Sequence, residues 1–308
     1  MAEQACVDFT WGHANQGGQH DWPFVMALQK GFFLEEGINL HIRVVPGGDA
    51  LAQAMGRGEI QVGRMGSPPF LTAVGKGMFP GKIIASSVIG NLDHFLFVVR
   101  PEIKELAELQ GKTVGVLSRG SCDGHLMKLE LKRAGLDPER DVTYRELWQD
   151  YNKIDGLASG ELFAQLIVEP WVSLGERQGA LRVVAPASRV EPHFQWGLLV
   201  AREDFIAEQP RLLRKLLRGY LKGAQYCTAH PEETKAMVCE YMPGYEPATV
   251  EQALTRTLPI WNTTGLIDMD GLAVAVETMC TLGAIPQQLK PEALVDLSGV
   301  PEGAINGI

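Results

Sequence analysis

The chain has 308 residues, 45% of them hydrophobic and 21% charged, with a net charge of −9. That length supports two domains with separate cores. The acidic balance excludes nucleic acid and an anionic membrane surface as partners, while a site for a small anion can still be locally positive. No apolar run reaches the length of a membrane span, so no direct membrane insertion is expected. Cys6, Cys122, Cys227, Cys239 and Cys280 form no CxxC pair, which sets aside a zinc ribbon and a disulfide framework. The opening MAEQACVDFTWG has neither the basic stretch nor the apolar core of a secretory signal. The expected location is therefore periplasmic if a signal has been removed and cytoplasmic if Met1 is the native start.

Strand and helix signals alternate from the start. Val7–Trp11 reads as a strand and Trp22–Glu36 as a helix, with Asp21 as N-cap, Pro23 in the first turn and Gly37 as stop. Asn39–Val45 alternates as a half-buried strand does. A helix over Gly48–Arg57, a strand over Ile60–Val62, a helix over Pro68–Gly75 capped by Ser67, and a strand over Lys82–Ile89 follow. His94–Val99 is an apolar strand ending at Arg100-Pro101, before a short helix over Ile103–Leu109 and a strand over Lys112–Leu117. Ser118, Gly120 and Ser121 make a tight turn into a helix over Asp123–Ala134. Asp141–Glu146 reads as a strand, Tyr151–Ser159 as a helix, and Phe163–Val168, Leu181–Ala185 and Gly197–Ala201 as strands. From Pro210 the character changes: Pro210–Thr228, Pro231–Met242, Pro247–Trp261 and Asp270–Leu282 all read as helices.

This order predicts an α/β protein of two domains with mostly parallel central sheets and a helical C-terminal part. The boundaries are expected near Val98–Pro101 and Gly197–Arg202, so residues 1–98 and 201–308 form a discontinuous first domain and 99–200 a second. Two crossings suit hinge closure on a ligand held between the domains.

Several segments resemble one known family. They are KGFFLEEGINL (Lys30–Leu40), GGDALAQAMGRGEIQVGRMGSPP (Gly47–Pro69), LAELQGKTVGV (Leu106–Val116), the turn and helix at Ser118–Leu136, GELFAQLIVEPW, and IWNTTGLIDMDGLAVAVETMCTLGAIP. In this order they resemble the solute-binding proteins for nitrate, sulfonates and taurine, which share a fold with the thiamine-pyrimidine synthases. The resemblance implies a periplasmic-binding-protein type II fold, a ligand cleft between domains and an ABC permease as partner. The family's usual Val-Asp-Ala is replaced here by Leu162-Phe163-Ala164.

In sheets of this kind ligands sit at the carboxyl ends of the strands. That rule nominates Trp11, His13, Asn15 and Trp22 around the first loop, then Gly48, Ser67 and His94 in later ones. The second domain offers Ser118, Arg119, Ser121, Glu169 and Trp171, and the return strand begins beside Trp196. Backbone amides at the start of the Asp123–Ala134 helix attract an anion, and Arg119 beside them is suited to clamp a carboxylate or sulfonate. Trp11, Trp22, Trp171 and Trp196 together would make flat walls for a ring. Ser67 and Ser118 read equally well as helix caps, and Glu169 equally well as a ligand contact or as a partner of backbone amides.

Two main functions remain open on these residues, beside a cytoplasmic ligand sensor that signals by closure alone. One is a binding protein for a small anionic, ring-containing or sulfonate-like compound. The other is an enzyme on the same scaffold, a desulfinase, aromatic-acid decarboxylase or pyrimidine synthase. For the enzyme, Cys122 at a helix start, with its pKa lowered by the helix dipole, and His125 three residues on would be the nucleophile pair. No HExxH, GxxxxGK[ST] or GxSxG occurs, so no metal, cofactor or serine nucleophile is expected.

Overall fold

A computed structural model describes residues 6–14, 18–119, 121–147, 153–286 and 289–301. In chain order its strands are β1 (Val7–Ala14), β2 (Ile38–Val45), β3 (Val62–Gly66), β4 (Gly81–Ser86), β5 (Leu96–Val99), β6 (Thr113–Val116), β7 (Thr143–Glu146), β8 (Ala164–Ile167), β9 (Arg182–Pro186) and β10 (Gly197–Arg202). The helices are α1 (Trp22–Gln29), α2 (Phe32–Glu35), α3 (Gly48–Gly56), α4 (Ser67–Gly75), α5 (Cys122–Arg133), α6 (Asp155–Ser159), α7 (Trp171–Arg177), α8 (Glu203–Glu208), α9 (Pro210–Ala229), α10 (Pro231–Tyr241), α11 (Pro247–Thr257) and α12 (Met269–Thr281). The expected helix over Trp22–Glu36 is two helices, because Gly31 adopts the left-handed φ of 73° that ends a helix. Sequence reading also passed over α7 and α8.

The chain divides into two compact units, 1–90 with 195–242 and 258–308, and 91–194 with 243–257. The first crossing therefore falls before β5, and the second before β10. Physical pairing accounts for the difference from boundaries near 98 and 201. Leu96–Val99 forms antiparallel ladders with β8 and β9, whereas Gly197–Arg202 forms them with β3 and β4. The C-terminal helices were expected together in the first domain, but α11 belongs to the second unit. There Arg256 reaches Glu176 and Gln252 donates to it at 2.6 Å.

The first unit holds a five-stranded sheet in the order β2-β1-β3-β10-β4. β1 runs parallel to β2 and β3, and β10 is the antiparallel member. Its core gathers Phe9, Trp11, Phe24, Phe33, Ile38 and Val62 around Leu213, Leu216, Leu217 and Tyr220 of α9. α9 lies close to α1 because Gly223 has no side chain: a Cβ there would meet the Pro23 carbonyl oxygen at 2.4 Å. The second unit holds a sheet in the order β7-β6-β8-β5-β9, with β6 parallel to β7 and β8, and β5 antiparallel. Its core includes Leu96, Val98, Leu157, Leu162, Ile167 and Val172. Each sheet is thus mostly parallel, with one reversed strand, and that strand is the first one after each of the first two crossings.

Candidate functional site

In the first unit β1 and β3 are neighbours and deliver a buried charge cluster. His13 near the end of β1, Arg64 on β3 and Asp21 before α1 are 2%, 5% and 2% exposed. Arg64 Nε donates to His13 Nε2, and Arg64 Nη2 donates to Asp21 Oδ1 at 3.2 Å and to the Ala14 carbonyl at 3.4 Å. Burial, reinforced by the Arg64 charge, holds the His13 pKa well below its ordinary 6.5. The imidazole is therefore neutral. Its Nε2, which faces Arg64, also lies 3.1 Å from Asp21 Oδ1. Asp21 was expected to cap α1, but its side chain makes no cap bond and pairs with Arg64 instead. Buried ions require such partners.

The starts of α3 and α4 meet at Gly48 and Pro69. A Cβ on Gly48 would lie 2.3 Å from the Pro69 side chain. Ser67 is the first residue of α4, not its cap, and is fully buried. Its N–H donates to the Trp196 carbonyl at 2.7 Å, and its hydroxyl has no hydrogen-bond partner among the described residues. Pro68 and Pro69 carry no N–H, so this helix start has almost no main-chain donors for an anion. Gly66 leaves room for the Trp196 indole, which a Cβ would meet at 2.8 Å. The half-buried Trp196 stacks on His20 with ring centres 5.4 Å apart and planes at 28°. Of the expected aromatic walls in this unit, Trp196 alone is not fully buried. Trp11 is completely buried edge-on against Phe24, and Trp22 against Trp261. Asn15 lies outside the described residues.

In the second unit the two motifs singled out by sequence stand at the carboxyl ends of neighbouring parallel strands. β6 leads to α5 and β8 to α7. Ser121 caps α5: its hydroxyl accepts from Gly124 N at 3.4 Å and donates to the Ser118 carbonyl at 2.5 Å. Asp123 accepts from Leu117 N at 2.7 Å. Burial pushes the Asp123 pKa up from 3.8 to about 6, against the opposing pull of those hydrogen bonds. Arg119 is exposed, pairs with Glu139 and lies 5.0 Å over the Tyr144 ring, while its N–H donates to Glu146 at 2.8 Å.

Cys122 reverses its expectation. It is buried, and that burial, with the charges of Asp123 and Glu191, pushes the thiol pKa up, so desolvation outweighs the helix dipole. A protonated buried thiol is not a nucleophile. Burial likewise lowers the His125 pKa, with Lys128 and Lys132 adding to the effect. His94 is buried, and its pKa falls to about 3, which makes it a neutral group.

Glu169, 1% exposed, resolves toward structure. Its carboxylate accepts from Ser173 N and Ser173 Oγ, both at 3.0 Å, and from Arg256 at 2.8 Å. It thus satisfies the first turn of α7 from outside the helix. Trp171 packs, half-buried, on the second unit's core. Arg256 and Asp123 escaped sequence reading. The first has no local signal, since its partner lies 87 residues away, while Asp123 was visible as an acidic residue in a first helical turn. Among the described residues no three His, Cys, Asp or Glu gather to hold a metal ion, and no helix is long and apolar enough to cross a membrane.

Two mixed five-stranded sheets covered by helices define the class: a two-domain fold of the periplasmic-binding-protein type. Within it the chain belongs to the NMT1/THI5-like family, which matches residues 19–234. A protein of Brucella abortus named as a binding protein is 25% identical over 220 residues, 70% of this chain and 66% of that protein, so the match spans a little under two thirds of the relative. The 4-amino-5-hydroxymethyl-2-methylpyrimidine phosphate synthase of Legionella pneumophila is 25% identical over 250 residues, 80% of this chain and 78% of the enzyme. Among solved structures, the periplasmic aliphatic sulphonate binding protein SsuA of Escherichia coli superimposes with a TM-score of 0.76 at 17% identity. That match covers 95% of this chain and 92% of the other.

Proposed function

We propose that the chain is the solute-binding component of an ABC-type import system, working in the periplasm with a membrane permease. Its solute is a small anion of the sulfonate kind, or one carrying a planar ring. The observation that carries this reading is the pairing of that fold with loops that offer hydrogen-bond donors, while Cys122, the expected nucleophile, is protonated and buried. On this reading Arg119, Ser118 and Ser121 of the second unit take the anionic group beside the α5 amides. The Arg119 to Glu139 pair is exposed on both sides, at 50% and 52%, so it opens at little cost when a solute competes.

The test is a thermal-shift screen of the full chain with taurine, ethanesulfonate, MOPS and nitrate, followed by calorimetry on any hit. Saturable binding that Arg119→Ala weakens by about tenfold or more supports the proposal. No hit among these anions, or an unchanged affinity in Arg119→Ala, refutes it. The Legionella relative supports a second reading, a pyrimidine-forming enzyme. Mass spectrometry after incubation with each hit separates the two, because only an enzyme changes the mass of its ligand.

A further inference from the structure

A cavity of about 280 Å³ lies inside the first unit and plays no part in the solute site proposed above. Phe24, Val25 and Leu28 of α1 form one wall, and Ile42 of the edge strand β2 another. Tyr241 at the end of α10 adds to the lining, and His13, Asp21, Gln29 and the Tyr241 hydroxyl supply its polar groups. We propose that this cavity is a second binding site, for a small uncharged aromatic molecule bearing one hydrogen-bond acceptor.

Size supports the assignment. A cavity of roughly 150 Å³ walled by apolar side chains binds benzene, so this one has room for a substituted ring. Charge narrows the class further. Asp21 and Arg64 neutralise each other at 3.2 Å, leaving no net charge for an ion to answer. An anion would meet the like charge of Asp21, and any ion would leave water for a largely apolar lining, which is disfavoured. Among the polar lining groups, the Gln29 amide and the Tyr241 hydroxyl carry N–H and O–H donors. A carbonyl or ether oxygen matches such a donor. Val25, Leu28 and Ile42 are only half-buried, which gives the cavity an approach from solvent.

Acetophenone, which joins a phenyl ring to one carbonyl, is the probe, and toluene, which lacks the acceptor, is its comparator. Calorimetry on the full chain is expected to give saturable acetophenone binding, tighter than toluene. Val25→Trp and Ile42→Trp each put an indole into the cavity from a half-buried position, and each is expected to weaken acetophenone by about tenfold or more. Affinity for a sulfonate hit stays the same in both variants. In the unaltered chain, nuclear Overhauser contacts are expected between the bound phenyl ring and the methyls of Leu28 and Ile42. Absence of saturable binding, toluene bound as tightly as acetophenone, unchanged acetophenone binding in folded Trp variants, or absence of those methyl contacts would each overturn the proposal. A failed sulfonate screen leaves this test intact, since the cavity does not rest on that reading.

Discussion

Both units build the same local figure, a parallel strand feeding a helix, yet they stabilise it by opposite means. In the first, the junction at β1 and β3 is held by ions removed from water: Arg64, Asp21 and the neutral His13. In the second, the junction of β6 and α5 is held by hydroxyl and backbone bonds through Ser121 and Asp123, with the arginine outside in water. The contrast shows where each unit can adapt. A buried ion pair fixes its members, because separating them exposes an uncompensated charge. An exposed arginine over Tyr144 can change partners.

The largest expected effect is in the first unit. Asp21→Asn leaves Arg64 buried without its carboxylate and is expected to lower unfolding free energy by about 3–5 kcal/mol in urea titration. Adding Arg64→Met to it should recover most of the loss, and a double variant no more stable than the single would break the comparison. Gly223→Ala comes next. The added methyl meets the Pro23 carbonyl, which belongs to rigid backbone, and a loss of about 1–3 kcal/mol is expected.

The third test concerns pH. The folded Asp123 holds its proton up to about pH 6, whereas the unfolded chain releases it near 3.8. As pH rises through that window the unfolded state is favoured, and stability falls by up to about 3 kcal/mol. Asp123→Asn lacks this decline, so the two stability curves should converge or cross between those values; parallel curves would remove Asp123 from the account. Smallest of all, Arg119→Ala should leave the melting temperature unchanged, since both members of its ion pair are about half exposed. A clear drop in melting temperature would mean that the second junction, too, depends on its charges.

Much of the fold was legible in the sequence because it is written locally. Gly37, Pro23, the alternation in Asn39–Val45 and the prolines near the later helix starts each mark an element without outside help. What escaped was non-local. Nothing in Leu96–Val99 says that it runs against β8, and nothing in Gly197–Arg202 says that it slips between β3 and β4. The site divides in the same way. Ser121 was readable as the residue before a helix, but the partners of Arg64 lie 43 and 51 residues away in sequence. Cys122 shows a third kind of failure. Its helix-start position was right, yet the sign of its pKa shift depends on burial, which the whole unit decides.

The two prolines that follow Ser67 have a consequence for what the first unit can tell apart. Pro68 and Pro69 offer no N–H, and that of Ser67 is committed to Trp196. The surface beside the stacked indole therefore judges a visitor by outline and flatness, and its indifference to charge is written into the main chain. A single Pro69→Ala exchange would restore an amide there and teach the same surface to count electrons.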